Sequence, residues 1–215
     1  AAFIRGKLGS ADIAVVLGSG LHSLVETLEE ASSVSYAEIP HMPLVSVAWH
    51  GKNLYSGTIR GKKVMLWSGR VHMYEGYHTL DVSFISHVSA LCGCKYILLT
   101  NAVGGGMPGM QLGSVMITKT FMENNGAERP VVNLWGQERI DGDECISPYL
   151  NEIAAEAAKD LGIELFEGVY TWSMGPSFET PMETTTFRTF GNGGFGMSTV
   201  PEILAAGETG MECAV

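Results

Sequence analysis

The strongest constraint on the fold is an alternation. Short apolar runs that stop at glycine or a small polar residue are separated by stretches with helical periodicity. Asp12–Leu17 (DIAVVL) ends at Gly18 and has the pattern of a strand buried on both faces. Lys63–Trp67 and Lys95–Thr100 (KYILLT) read as two more such strands. Leu21–Glu30 reads as a helix following the first strand. Further on, Leu80, Phe84, Ile85, Val88, Leu91 and Cys92 share one helical stripe, with Asp81 in its first turn. Ser147 and Pro148 open a helix that carries Leu150, Ile153, Ala154, Ala157 and Leu161 and stops at Gly162. Glu164–Thr171 is the next strand. Thr180-Pro181-Met182-Glu183 and Thr199-Val200-Pro201-Glu202 both have capping-box spacing ahead of a helix. Met211–Val215 begins another apolar run.

Such alternation specifies an α/β fold, with a mixed, largely parallel central sheet flanked by helices. Tyr36–Gly57, with short strands on either side of His50, adds antiparallel or barrel-like pairing. The 215 residues contain no repeat or linker, so residues 1–215 are expected to form a single domain.

Several function classes are disfavoured. Lys+Arg 13 against Asp+Glu 23 gives a net charge of −10, the wrong sign for gripping a nucleic-acid backbone. No apolar run reaches the ~18 residues of a membrane span, and no basic stretch precedes an apolar leader. Cys92, Cys94, Cys145 and Cys213 lack the two close pairs of a zinc site. They are expected to be reduced thiols in an intracellular, cytoplasmic protein. HExxH, P-loop and Gly-x-Ser-x-Gly patterns are absent, and no metal site is expected. His22, His41, His78 and His87 read as surface or structural residues.

The 27 glycines cluster, at Gly18/Gly20, Gly104–Gly106 and Gly191–Gly196. Five motifs carry chemistry. Gly18-Ser19-Gly20 follows a buried strand and opens a helix, where unpaired N–H groups meet anions. Ser68–Gly76 (SGRVHMYEG) places Arg70, His72 and Tyr74 on one side of an extended segment. Arg70 offers a planar fork for phosphate oxygens, His72 a hydrogen-bonding ring, and Tyr74 an aromatic hydroxyl. Thr100–Gly106 (TNAVGGG) lies at a strand's carboxyl end, where small residues leave room for a flat ring. Gly175–Pro181 sets Phe178 beside Glu179, suiting a heterocycle with ring N–H groups. Gly196–Glu202 places Ser198 at another helix N-terminus, with Met197 beside it. A dinucleotide reading is also open, resting on Gly18-Ser19-Gly20 and on Glu38 at the ~20-residue offset of a ribose-binding acid. Ser23 stands where that fingerprint needs glycine.

In this order, GSG, GRVHMYEG, TNAVGG, GPSFETPME and GMSTVPE resemble the purine nucleoside phosphorylases, in particular the trimeric class selective for 6-oxopurines. The resemblance runs from Asp12 to about Gly210. It implies phosphorolysis of inosine, guanosine and their deoxy forms to free base and (deoxy)ribose 1-phosphate, in purine salvage. It implies phosphate contacts from Ser19, His50, Arg70, His72, the Ala102 backbone and Ser198. Sugar contacts fall to Tyr74 and Met197. Purine contacts fall to Val103, Gly104, Phe178, Glu179 and Phe195. His72 and Glu179 are the catalytic candidates. A homotrimer is implied, with phosphate as co-substrate and no metal or organic cofactor.

There are departures. Trp49 replaces the family's glycine before His50, Val103 enlarges the purine wall, and Phe195 replaces a smaller aliphatic residue. Met122–Cys145, where trimeric relatives send an aromatic residue into a neighbour's sugar site, matches poorly. The resemblance further implies truncation at both ends. The family's purine-binding Asn, the His contacting the 5′-hydroxyl and the terminal helix would follow Val215. Loss of that Asn should cost ~10²–10³ in kcat. The alternative is an impaired relative that binds ligand or serves as a non-enzymatic interaction protein.

Overall fold

The computed structural model describes residues 1–46, 51–124 and 142–215. Two sheets organise them. The larger is built on β1 (Ile13–Val16), β2 (Glu29–Ser35), β3 (Asn53–Ile59), β4 (Lys62–Trp67), β5 (Tyr96–Leu99) and β10 (Glu212–Ala214), in the order β10-β5-β1-β4-β3-β2. β1 runs parallel to β4 and β5, and β10 parallel to β5. β3 is antiparallel to both β4 and β2. The smaller sheet orders β6 (Gly104–Gly105), β7 (Val115–Glu123), β8 (Leu165–Trp172) and β9 (Asn192–Gly196) as β6-β9-β8-β7. Its three longer strands are parallel, and β6 pairs antiparallel with β9.

The helices are α1 (Ala2–Leu8), α2 (Thr79–Val82), α3 (Phe84–Leu91), α4 (Pro148–Asp160), α5 (Pro181–Thr189) and α6 (Val200–Glu208). The main core lies between the larger sheet and the α3–α6 layer. Ala14, Val16, Met65, Trp67, Ile97 and Leu99 from the strands meet Ile85 and Val88 of α3 and Val200 and Ile203 of α6. Trp67 donates its indole N–H to Ser89 Oγ at 2.9 Å, so the largest core ring enters without leaving its N–H unpaired. β8 joins this core through Tyr170 and Trp172. The opposite face of the sheet gathers Val15, Leu17, Val64 and Leu66 under Val25 and Leu28.

The mixed α/β class is as the alternation requires, and α4 has the expected cap: Leu150 N–H donates to Ser147 Oγ at 3.2 Å. The stretch 21–30 departs from expectation. His22–Thr27 is a 3-10 turn, and Glu29 already belongs to β2. Pairing with β3 captures this segment. β2 is an edge strand in which only Val34 is fully buried, so its apolar signal in the sequence is faint. The antiparallel pairing expected around Tyr36–Gly57 is supplied after His50 by β3, which pairs with β2 and β4. No short strand precedes His50 among residues 36–46, where Tyr36–Glu38 forms a 3-10 turn instead. All four cysteines are free and buried, and burial pushes the Cys94 thiol up to about 12.

Candidate active site

The carboxyl ends of β1, β4, β5 and β9 open on one side of the molecule, where parallel strands bind ligands. At the end of β1 only glycine fits. A Cβ on Gly18 would lie 2.7 Å from Asn101 Cα and 2.8 Å from Thr100 O. Gly18 N–H donates to Thr100 Oγ1 at 2.8 Å, so the loops after β1 and β5 are stitched together and Ser19 is held at the rim.

After β4 the chain delivers Arg70, only 1% exposed. Its Nε donates to Glu202 Oε1 at 3.1 Å and its Nη1 to Thr100 O at 2.6 Å. A buried guanidinium needs such partners, because leaving the charge unpaired there would be costly. Burial pushes the Glu202 carboxyl above the usual carboxylate value, against the pull of Arg70.

His72 follows in extended backbone, and Met73–Glu75 is a 3-10 turn. The sequence placed Arg70, His72 and Tyr74 in one extended segment; the turn corrects this. Glu75 makes the turn by accepting the His72 backbone N–H at 2.7 Å, and the same oxygen lies 3.1 Å from His72 Nδ1. Tyr74 then stacks on His72, centroids 4.7 Å apart with 16° between planes. Burial alone would raise the Glu75 carboxyl. Hydrogen bonds from Ser46 and His72 more than offset this and hold it below the usual value.

Beyond β9 comes Ser198, buried at 5% exposure. Its backbone is clamped by Tyr170, whose hydroxyl donates to Ser198 O at 2.7 Å and accepts from Ser198 N–H at 3.3 Å. Burial pushes the Tyr170 hydroxyl up to about 12, with the Ser198 and Thr199 hydrogen bonds pulling the other way, so it stays neutral and can serve both roles.

One cleft of about 330 Å³ joins these parts. Ser19, Arg70, His72, Ala102 and Ser198 line it, as do Tyr74, Val103, Gly104, Phe178, Glu179, Phe195 and Met197. His50 and Trp49 lie outside the described residues, as does most of the poorly matching stretch after Met122. Phe178 is 86% exposed, whereas Glu179 buries Oε1 without a hydrogen-bond partner. Phe195 is 5% exposed and packs against Phe187, with ring centroids 5.8 Å apart. Glu38 closes its own turn by accepting the Ser35 N–H at 3.1 Å, a local role that takes away one of the two supports of the dinucleotide reading.

Sequence reasoning missed Glu75, Asn101, Tyr170, Thr199 and Glu202. Glu75 and Glu202 were visible as glutamates in the motifs, but nothing local marks which partner each finds. The capping box expected at Thr199–Glu202 is not formed by the Thr199 side chain, because that hydroxyl turns toward Asn101 and Ser198. Among the described residues, no group of three or more His, Cys, Asp or Glu is gathered to hold a metal, and no helix is long and apolar enough to cross a membrane.

Fold and cleft together define an α/β protein with a cleft at the carboxyl ends of its parallel strands. Residues 12–215 match the family described as the phosphorylase superfamily. Purine nucleoside phosphorylase 1 of Geobacillus stearothermophilus is 36% identical over 99% of this chain and 79% of its own length. Its namesake from Bacillus subtilis is 38% identical over 98% and 79%. The crystal structure of isoform 2 of purine nucleoside phosphorylase from Schistosoma mansoni, in complex with cytosine and ribose-1-phosphate, superposes with a TM-score of 0.90 at 31% identity, over 99% of this chain and 78% of that one. The chain belongs to the phosphorylase superfamily, and within it to the purine nucleoside phosphorylases.

Proposed function

We propose that the chain phosphorolyses 6-oxopurine nucleosides, ribo and deoxyribo, releasing the base and (deoxy)ribose 1-phosphate. One observation carries the reading. A single cleft is lined both by groups suited to an anion (Arg70, His72, Ser198, Ser19 and the Ala102 backbone) and by an exposed ring beside a carboxylate with an unmatched oxygen (Phe178, Glu179).

The chemistry follows from that combination of groups. Cleaving the N-glycosidic bond builds positive charge at C1′. A phosphate held by Arg70 and Ser198 stabilises it and then attacks C1′, while the bonding pair leaves on the purine. His72, oriented by Glu75, holds the phosphate. Tyr74 and Met197 flank the sugar, and Val103, Gly104 and Phe195 wall the base. Glu179 accepts the N1–H of a 6-oxopurine. Adenine would set a lone pair against that carboxylate and is rejected. Phosphate is the co-substrate, with no metal or organic cofactor. A homotrimer acting in purine salvage in the cytoplasm completes the reading, and sedimentation at three chain masses would support the assembly.

Incubation with inosine and phosphate is expected to release hypoxanthine and ribose 1-phosphate, with adenosine inert. Equal turnover of adenosine, or inosine cleavage independent of phosphate, would sink the reading. Glu179→Gln, which presents an amide in place of the carboxylate, is expected to lower kcat/KM for inosine by ~10²-fold or more.

A further inference from the structure

Thr199 occupies an unusual place for its type. It is fully buried, with φ 83° and ψ −44°, a region that β-branched residues rarely enter. It precedes α6 with capping-box spacing to Glu202, yet its side chain makes no bond to the first turn of that helix. Glu202 borders the Thr199 N–H, as a capping glutamate does, but gives Oε1 to Arg70 Nε. The Thr199 hydroxyl accepts from Asn101 Nδ2 at 2.9 Å and lies 2.9 Å from Ser198 Oγ. Asn101 and Ser198 both line the cleft.

Asn101 supplies an N–H to one lone pair of Thr199 Oγ1, and the Thr199 and Ser198 hydroxyls share a hydrogen bond that either can donate. In the arrangement where Thr199 donates, Ser198 accepts and its own proton is left for a group in the cleft. Hydrogen bonds in such a chain polarise one another. Strain of this kind persists only where surrounding structure enforces it, and it gathers at functional sites. The Tyr170 clamp on the Ser198 backbone supplies that enforcement and also borders both hydroxyls.

We propose that Thr199 is a positioning residue for the anion-binding groups of the cleft: its strained backbone and its hydroxyl, fed by Asn101, aim the Ser198 proton at a bound phosphate. The cap of α6 is given up for this purpose. The inference rests on the reading of those groups as a phosphate site.

The test is calorimetric titration of inorganic phosphate into wild type, Thr199→Val, Thr199→Ser and Thr199→Gly, with steady-state kinetics beside it. Thr199→Val keeps the shape and removes the hydroxyl, and is expected to weaken phosphate about tenfold. The KM for inosine should stay within about twofold. Thr199→Ser, which keeps the hydroxyl, should bind within about twofold of wild type. Glycine accepts a positive φ without strain, so Thr199→Gly folds even where valine does not, and it too should lose phosphate affinity. Wild type that binds no phosphate overturns the subsite reading, and the inference with it. Wild type that binds, with Thr199→Gly or a folded Thr199→Val binding equally well, overturns the inference alone.

Discussion

Thr180-Pro181-Met182-Glu183 and Thr199-Val200-Pro201-Glu202 have the same spacing and the same position ahead of a helix, and they end in opposite arrangements. At α5 the box closes on itself. Thr180 Oγ1 accepts the Glu183 N–H at 3.3 Å, and Glu183 Oε2 accepts the Thr180 N–H at 2.7 Å. At α6 the threonine hydroxyl faces Asn101 and Ser198, and the glutamate faces an arginine 132 residues away in sequence. The surroundings make the difference. Thr180 and Glu183 are in water, where the best partner of each is its own helix. Thr199 and Glu202 are fully buried beside a guanidinium that would be costly to bury alone. A local rule therefore holds where solvent leaves it unopposed, and yields where a buried charge needs a partner.

The largest effect expected from this contrast is on stability. Glu202→Ala removes the buried carboxylate that pairs with Arg70 Nε, and breaking a buried ion pair typically costs ~3–5 kcal/mol. In a chain of this size that lowers Tm by roughly 6–20 °C. Glu183→Ala removes an exposed acceptor and should move Tm far less. Differential scanning calorimetry of the two variants decides the matter, and equal losses would erase the distinction between the boxes.

A smaller effect is expected at Thr180. Thr180→Ala removes the side-chain acceptor of a helix cap and should cost ~1 kcal/mol, a Tm shift of ~2–4 °C. Its KM for phosphate should match that of wild type. Thr199→Val should show the reverse, a phosphate effect out of proportion to any loss of Tm. A raised phosphate KM in Thr180→Ala would mean that phosphate affinity does not separate the two threonines.

The same contrast explains what could be read from sequence. The apolar runs located β1, β4 and β5 because burial on both faces leaves no room for polar residues. The cleft's lining was legible where chemistry is local to a motif, as with Arg70 and His72, or Phe178 and Glu179. β2 was hidden because an edge strand takes most of its order from pairing with β3 and buries only Val34 fully. Glu202 and Thr199 were hidden for a related reason: their partners arrive from other strands, and capping spacing described them equally well. Asn101 carried no signal of its own, since its amide acquires a role only through Thr199.

The finest discrimination is by pH, because the two glutamates are displaced in opposite directions. Hydrogen bonds from Thr180 hold the Glu183 carboxyl below its ordinary 4.5, while burial holds Glu202 above it despite Arg70. For Glu183 the unfolded chain binds the proton more tightly. Its contribution is present above pH 4.5 and is lost as pH falls through the lower folded value. For Glu202 the folded chain binds the proton more tightly. Its contribution is present below pH 4.5 and is lost as pH rises through the higher folded value. On acidification, wild type should therefore lose its Tm advantage over Glu183→Gln but gain Tm relative to Glu202→Gln. Melting curves of the three proteins from pH 7 to about 3.5 measure both slopes. Slopes of the same sign would mean that Glu202, like Glu183, is held chiefly by hydrogen bonds to its charged form, and that burial does not separate the two boxes.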